Sequence, residues 1–212
     1  MIKKTIRVKG RGSVSQAPDQ IRLEFTLNES SAEYKKSVAG CNRRVAQVKA
    51  AATESGIAAD TLKTTHFDVQ EESEYRSGRH HHVGFEASHQ LAVVLPADQD
   101  LIGRFLSAVM SGGSKPQVKI AFQVADGEGM RQKVLASAVE NATLRANTIA
   151  SAARVKLGQI VHIEYGYAEV RISSDDSEMA LASEPGACEA PAFAPEDVEA
   201  EDTVTITWEI EG

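Results

Sequence analysis

The amino-acid sequence predicts an α+β fold, with a mainly antiparallel sheet and helices packed on one of its faces. Apolar residues alternate with the period of two of a strand in some segments, and recur at helical three- and four-residue steps in others. These segments follow the order β-β-α-β-β-α-β-α-β-β over 212 residues. Strands that come in consecutive pairs favour hairpins over the regular β-α alternation of a doubly wound sheet. The length fits one domain, which we predict over residues 1–212.

The first two strands show the clearest alternation. Apolar residues occupy every second position of "IRLEFTL" (residues 21–27), and "TIRVKG" (residues 5–10) shows the same period. This pattern is typical of a sheet with one face in water. Pro18 and Asp19 mark a turn between the two runs. We therefore expect these strands to form an N-terminal hairpin.

Three helices and five further strands follow from the same patterns. The helices are predicted at about 31–55, 99–110 and 128–155, and Asp98 or Asp100 is expected to cap the second. Two of the strands, at about 62–75 and 83–95, lie between the first two helices. The others are "PQVKIAFQVAD" and "QIVHIEYGY", on either side of the third helix, and a fifth, "TVTITWEIE", closes the chain.

Composition excludes several classes of protein. The net charge of −7 and the isoelectric point of about 5.4 argue against a nucleic-acid partner. The apolar runs are of strand length, far below the roughly 20 residues of a membrane-spanning helix. No apolar segment follows the basic start "MIKKTIRVKG", so the chain as written is expected in the cytoplasm. A periplasmic protein whose leader had been removed would look the same.

One segment, 173–202, differs in composition from the rest. It is rich in Asp, Glu, Ser and Ala and contains three prolines, so we predict a long, flexible acidic loop. Its carboxylates lack the spacing of an EF-hand calcium loop. Cys188 falls in this segment and Cys41 in the first helix. Two cysteines are too few for a disulfide framework, so both are predicted to be unpaired thiols.

The stretch "YRSGRHHHVGFEASHQ" (residues 75–90) raises the question of a metal site. If Tyr75 pairs with Val83, residue i pairs with residue 158 − i, and the triplet His80–His82 lies at the hairpin tip. An extended chain then puts two of the three histidines on one side, whereas a tight zinc site needs three or four ligands. The prediction is a solvated tip that binds metal weakly. His89 is predicted to be a core or half-buried histidine with a hydrogen-bond partner.

No motif nominates a catalytic, cofactor-binding or metal-binding residue. "GRG" at residues 10–12 lacks the third glycine of a dinucleotide loop, because position 15 is Ser, and a strand rather than a helix follows. We interpret these glycines as a place of tight backbone contact or a bulge. The chain is accordingly predicted not to be an enzyme and to need no cofactor.

The order of motifs resembles the SIMPL-domain family. The resemblance begins in "IRVKGRGSVSQAPDQIRLEF" and continues in "VKAAATESGIAADTLKTTHFDV" and "VGFEASHQLAVVL". It extends through the long alanine-rich helix to "RVKLGQIVHI", and so covers nearly the whole chain. The resemblance implies an α+β fold and a bacterial origin, and some members are periplasmic or surface-associated and linked to oxidative stress. It supplies no catalytic residues, and the histidine triplet and the acidic loop depart from its pattern.

The sequence leaves three functions of different kinds open. The first is a non-enzymatic binding or assembly protein that forms a homo-oligomer through long helices and an exposed sheet edge. The alternative is a metal- or small-molecule-responsive stress protein that uses the His80–His82 segment across a subunit interface. An enzyme with an unrecognised site would require a pocket that contains a residue with a strongly shifted pKa.

Overall fold

The computed structural model describes residues 4–76, 78–166, 177–179 and 195–211. The described strands are β1 (Thr5–Gln16), β2 (Gln20–Ser31), β3 (Lys63–Arg76), β4 (Arg79–Pro96), β5 (Gln117–Gln123), β6 (Lys156–Glu164), β7 (Ser177–Met179) and β8 (Val198–Glu211). The described α-helices are α1 (Tyr34–Glu54), α2 (Gln99–Ser111) and α3 (Gly127–Ala152). The predicted α+β class and element order are confirmed, with the three-residue β7 in addition.

The chain divides into two compact units. The inserted unit comprises residues 19–122 and 175–195, and the terminal unit comprises residues 1–18, 123–174 and 196–212. The strands form one sheet in each unit. The single domain expected over residues 1–212 stays a prediction.

The inserted unit has the element order β2-α1-β3-β4-α2-β5, and its strands lie side by side in the order β3-β4-β2-β5-β7. This is the β-α-β-β-α-β arrangement of ferredoxin-like domains, extended by one short strand. The alternate apolar residues of β2 are fully buried, and Phe25 meets Phe105 of α2 edge to face at 5.4 Å between ring centroids. The core of this unit therefore lies between its sheet and its two helices.

The terminal unit is a three-stranded sheet, β1-β8-β6, with α3 on one face. Strand β1 pairs antiparallel with β8 along the whole length of β1, from Thr5 opposite Glu209 to Gln16 opposite Val198. Alternate residues of β8 face α3, and Val204, Ile206 and Trp208 are buried there. From its middle to its end, the buried side of α3 consists of small residues, namely Ala138, Ala142, Ala146 and Ala150.

Gly10 and Gly12 explain why the side of α3 that faces the sheet carries small side chains. A Cβ atom at Gly10 would lie 2.1 Å from the carbonyl oxygen of Ala138, and one at Gly12 would lie 2.1 Å from that of Val134. Real Cβ atoms do not approach backbone this closely, so β1 and α3 touch backbone to backbone at these two positions. The interpretation of "GRG" as a place of tight backbone contact is confirmed.

The predicted N-terminal hairpin is wrong. Strand β1 pairs with β8, and β2 pairs with β4, so the two consecutive strands belong to different sheets. Alternation within each strand was interpreted correctly, since Ile21, Leu23 and Phe25 are buried. Alternation reveals which face a strand buries but not which strand lies beside it. Sequence neighbourhood therefore gave the wrong partner.

The predicted register of the β3-β4 hairpin is also wrong. Phe67 lies opposite His89, not Leu91, and His66 lies opposite Gln90, not Ala92. Arg76 pairs with Arg79, so the turn is shorter than predicted, and Gly78 within it has a positive φ of 82°, as is common in tight hairpin turns. Irregularities in pairing near residues 64–66 and 72–73 shift the register between the two ends.

Two further predictions concern the cap of α2 and the acidic loop. Asp98 is confirmed as the cap of α2, because its Oδ1 accepts hydrogen bonds from the backbone N–H groups of Asp100 and Leu101 at 3.0 and 3.1 Å. The acidic loop predicted at 173–202 lies largely outside the described residues, as does Cys188. Strand β8 already begins at Val198, and therefore takes up the last residues of that predicted loop.

We expect the substitution Gly12→Ala to destabilise the protein by about 3 kcal/mol, because the added methyl group must push α3 away from β1. Gly166→Ala is the matched control, since a Cβ at Gly166 meets nothing within 4 Å. Urea unfolding of the two variants and the wild type measures both effects. Equal midpoints for Gly12→Ala and wild type would contradict the close contact.

Candidate functional site

The two edges of the terminal sheet are β1 and β6, and α3 covers the backbone of the first. The side-chain oxygen Oδ1 of Asn141 accepts a hydrogen bond from the backbone N–H of Arg11 at 3.2 Å. The guanidinium of Arg145 donates to the carbonyl oxygen of Lys9, also at 3.2 Å. Helix side chains thus occupy backbone groups that a further strand would need. Such covering, together with basic side chains on the strand, is a common protection of sheet edges.

Strand β6 forms the opposite edge, and its apolar side chains are half in solvent. Ile160 is 52% exposed, Val161 51% and Ile163 50%. The cause is the position of α3, which lies mainly over β1 and β8 and touches β6 little. An exposed edge strand with apolar side chains is a site where another chain can add a strand.

Pairing with β8 shows which way the β6 side chains face. Ile160 lies opposite Trp208 and Ile163 opposite Ile206, both buried under α3. Opposite residues share a face, so Ile160 and Ile163 lie on the α3 face of the sheet. The register shifts between Leu157 and Ile160 and again between Ile160 and His162. These irregularities produce a three-residue spacing on the α3 face in place of the usual two.

The opposite face of the terminal sheet, which we call the outer face, is polar and charged. The guanidinium of Arg7 binds the Oε2 atom of Glu164, and Arg11 binds Glu201 in the same way. Both pairs are exposed, so each contributes little to stability. The hydrogen bond from Arg11 to Glu201 and the attraction between them raise the pKa of Arg11, which is cationic in any case.

An open cleft of about 600 Å³ lies on this unit. Its lining residues are strongly polar, namely Lys9, Arg11, Arg145, Glu201, Asp202 and Thr203. Asp202 is only 7% exposed, and it accepts hydrogen bonds from the Tyr165 hydroxyl at 2.9 Å and from the Thr203 backbone N–H at 2.6 Å. The two carboxylates of the cleft are therefore held in place by hydrogen bonds within the protein, as structural groups are.

In the inserted unit, the long edge strand is β3. It carries the exposed residues Lys63, Glu71 and Glu74, and two irregularities interrupt its pairing with β4. Charged side chains on an edge strand discourage the addition of another strand. The other edge, β7, has three residues and pairs with β5. Strand β6 also has two irregularities in its pairing with β8, but its middle carries three exposed apolar residues, Ile160, Val161 and Ile163, with no Lys, Arg, Asp or Glu among them.

His89 is half-buried and has a hydrogen-bond partner, as the sequence predicted. Its Nε2 atom lies 2.9 Å from the Thr64 hydroxyl, and its ring meets that of Phe67 edge to face at 5.3 Å. Its Nδ1 atom is buried without a partner. Burial, with a smaller effect of Lys49, lowers the pKa of this imidazole. The neutral ring is therefore the form that the fold favours.

The histidine triplet lies within β4 and not at the hairpin tip, so that prediction is wrong. His80 lies opposite Tyr75, and His82 lies opposite Ser73. The side chains of His80 and His81 lie outside the described part of the structure. The exposed ring of His82 packs on Phe85 at 5.0 Å between centroids. Within the described residues, His, Cys, Asp and Glu form no group of three or more that could hold a metal ion.

A metal-dependent function through His80–His82 therefore stays a prediction.

Cys41 is confirmed as a free thiol. It is buried, and its Sγ atom lies 3.4 Å from the carbonyl oxygen of Leu27. Burial raises its pKa, against the opposing effect of Arg44. A protonated, buried thiol is inert, so its environment is that of a core residue.

Sequence reasoning missed β6 as the notable edge. A signal was present, because "QIVHIEYGY" does not alternate cleanly: two apolar residues, Ile160 and Val161, stand side by side. A clean period of two would have placed one of them in water. The sequence pattern did not reveal that α3 would leave this strand uncovered.

None of the helices in the described ranges has the length and apolar character to cross a membrane.

The fold defines a class: a two-unit α+β protein with one ferredoxin-like unit and one three-stranded sheet that, in the described residues, ends at an apolar edge strand. The family model of SIMPL, described as "Protein of unknown function (DUF541)", matches residues 6–208. The chain belongs to the SIMPL family, and the resemblance predicted from its motifs is confirmed.

Curated relatives are more distant. The chain is 22% identical over 160 residues to "Uncharacterized protein YggE" of Escherichia coli strain K12, and equally similar to the protein of that name from Shigella flexneri. These alignments cover 76% of this chain and 65% of each relative. The chain thus matches slightly less than two thirds of the length of those proteins.

We expect His89 to make stability depend on pH. Its pKa is lower in the folded than in the unfolded chain, so the unfolded state binds more protons below about pH 6.5. The free energy of unfolding should therefore fall as the pH falls from about 7 toward 5, and His89→Gln should flatten that slope. Urea unfolding across this range measures it. His66→Gln, on the same hairpin, is the control, and identical slopes for wild type and His89→Gln would refute the effect.

Proposed function

We propose that this protein is a non-enzymatic binding and assembly protein, which forms a homo-oligomer through the open edge of β6. The observation that carries the proposal is the exposure of Ile160, Val161 and Ile163, each about half in solvent on a strand that lies at the edge of its sheet within the described part of the chain. A role in a stress response, which the family resemblance implies, is a further expectation about the same assembly.

Physical chemistry supports association at this edge. An added strand would satisfy the backbone N–H and C=O groups that β6 presents to water. It would also cover part of the exposed surface of the three apolar side chains, which is worth roughly 0.5 kcal/mol each. The opposite edge offers less, because Asn141 and Arg145 occupy its backbone groups.

Two arguments support the part of the proposal that says the protein is not an enzyme. The family pattern supplies no catalytic residue. The carboxylates of the cleft, Glu201 and Asp202, accept hydrogen bonds from protein groups, Arg11 in the first case and Tyr165 in the second. A measured turnover that disappears on substitution of either carboxylate would refute this part of the proposal.

The first experiment is absolute molar mass in solution, by light scattering behind a sizing column with chelator present. At micromolar concentration we expect a defined multiple of 22.8 kDa. Val161→Lys should shift the mass toward the monomer, because a lysine on an edge strand opposes pairing. Val94→Lys is the matched control, since Val94 is an exposed valine on β4, in the interior of the other sheet. A wild-type mass of one chain at every concentration would refute assembly.

A further inference from the structure

We propose that the occupant of the β6 edge is β6 of a second copy, paired antiparallel about a two-fold axis that passes beside Ile160. This inference rests on the proposed assembly and specifies its interface and register. It draws on the order of residues along β6, which is self-complementary in both its apolar and its charged positions.

Symmetry restricts the registers that two identical strands can adopt. Opposite residues in an antiparallel pair share a face, and a two-fold axis perpendicular to the sheet must relate the strands without exchanging faces. One residue therefore lies opposite its own copy. Strand β6 has nine residues, Lys156–Glu164, and Ile160 is its midpoint. A two-fold axis beside Ile160 is thus the register that pairs the whole strand.

The apolar residues on the α3 face match in this register. Leu157 lies opposite Ile210 of β8, which shares a face with Trp208 and Ile206, so Leu157, Ile160 and Ile163 all lie on the α3 face. They stand three residues before Ile160, at it, and three residues after it. Antiparallel pairing about Ile160 consequently places each Leu157 beside Ile163 of the second copy, and the two Ile160 side chains together.

The charged residues match as well. Lys156 and Glu164 pair with Glu211 and Thr205 of β8, on the outer face. They lie four residues to either side of Ile160, at opposite ends of the strand. In the proposed pair, each lysine faces the glutamate of the other copy. Glu164 already binds Arg7 of its own chain through Oε2, so the new contact extends an existing ion pair.

The consequence is a continuous six-stranded sheet, in the order β1-β8-β6-β6-β8-β1, with both α3 helices on one face. The ends of this sheet are the β1 edges, where Asn141 and Arg145 cover the backbone. Growth by further edge pairing in this sheet therefore stops at two copies. A head-to-tail contact between β6 and β1 would instead continue without closing.

Charge reversal with mixing tests the register. Lys156→Glu places two glutamates against each other at both ends of the pair, and Glu164→Lys places two lysines there. Each variant alone should dissociate at about tenfold higher concentration than wild type. An equimolar mixture should recover wild-type association, because both contacts of the mixed pair are again lysine to glutamate. Lys133→Glu, an exposed charge reversal on α3, is the control and should leave association unchanged.

A cross-linking experiment locates the axis independently. In a Cys188→Ser background, Ile160→Cys should form a disulfide between copies under mild oxidation. His162→Cys should not, because the two residues 162 would be offset by four positions, about 13 Å along the strand, beyond the reach of about 7 Å for a disulfide. Denaturing electrophoresis without reductant gives the readout.

The outcomes separate this inference from the proposed function. Recovery in the mixture together with cross-linking at residue 160 supports the two-fold β6 pair. An oligomer that persists in both charge variants, without a cross-link at residue 160, overturns the β6 pair but leaves assembly standing. Cross-linking stronger at residue 162 than at 160 overturns the register. A monomeric wild type overturns both.

Discussion

Backbone contact between β1 and α3 at Gly10 and Gly12 is the constraint on which the terminal unit depends. Because a Cβ atom at either position would lie 2.1 Å from a helix carbonyl, the helix can sit directly on the strand. The alanines on the facing side of α3 follow from the same closeness, since larger side chains would hold the helix away. The contact also fixes where α3 lies across a sheet of three strands. A helix drawn onto β1 and β8 leaves the third strand, β6, without cover.

That placement connects a glycine pair at the start of the chain with a surface more than a hundred residues later. Ile160 and Ile163 face the side of the sheet that carries the helix, where a broader or more central helix would bury them. Elsewhere, the long edges of the described sheets are protected by different means: helix side chains on β1 and charged side chains on β3. The contrast between these edges and β6 is what gives the exposed isoleucines a functional interpretation. Taken singly, an exposed apolar residue is ordinary on a protein surface.

Local patterns predicted much of the secondary structure and little of the topology. The alternation in β2, the cap at Asp98 and the half-buried state of His89 were all predicted from short stretches, because each depends on neighbours along the chain. The N-terminal hairpin, the register of β3 with β4 and the place of the histidine triplet were wrong. In the hairpin, the turn at Gly78 is tighter than expected, and two irregularities shift the pairing between its ends. Period-two alternation does not encode such shifts, since a bulge changes the partner and leaves most of the pattern intact.

The sequence by itself determined the elements, the faces they bury, the two alternatives for "GRG" (a tight backbone contact or a bulge) and the membership of a family. It did so because side-chain periodicity and the absence of a Cβ atom are local properties. Tertiary structure decided that β1 joins β8 at the far end of the chain, that the middle of the chain forms its own ferredoxin-like unit, and that β6 lies at an open edge. These are choices among strands of similar pattern, made by long-range burial and by the space that a helix leaves. The exposure of the apolar side chains of β6 follows from where α3 packs on the sheet, and the residues of β6 alone do not reveal it.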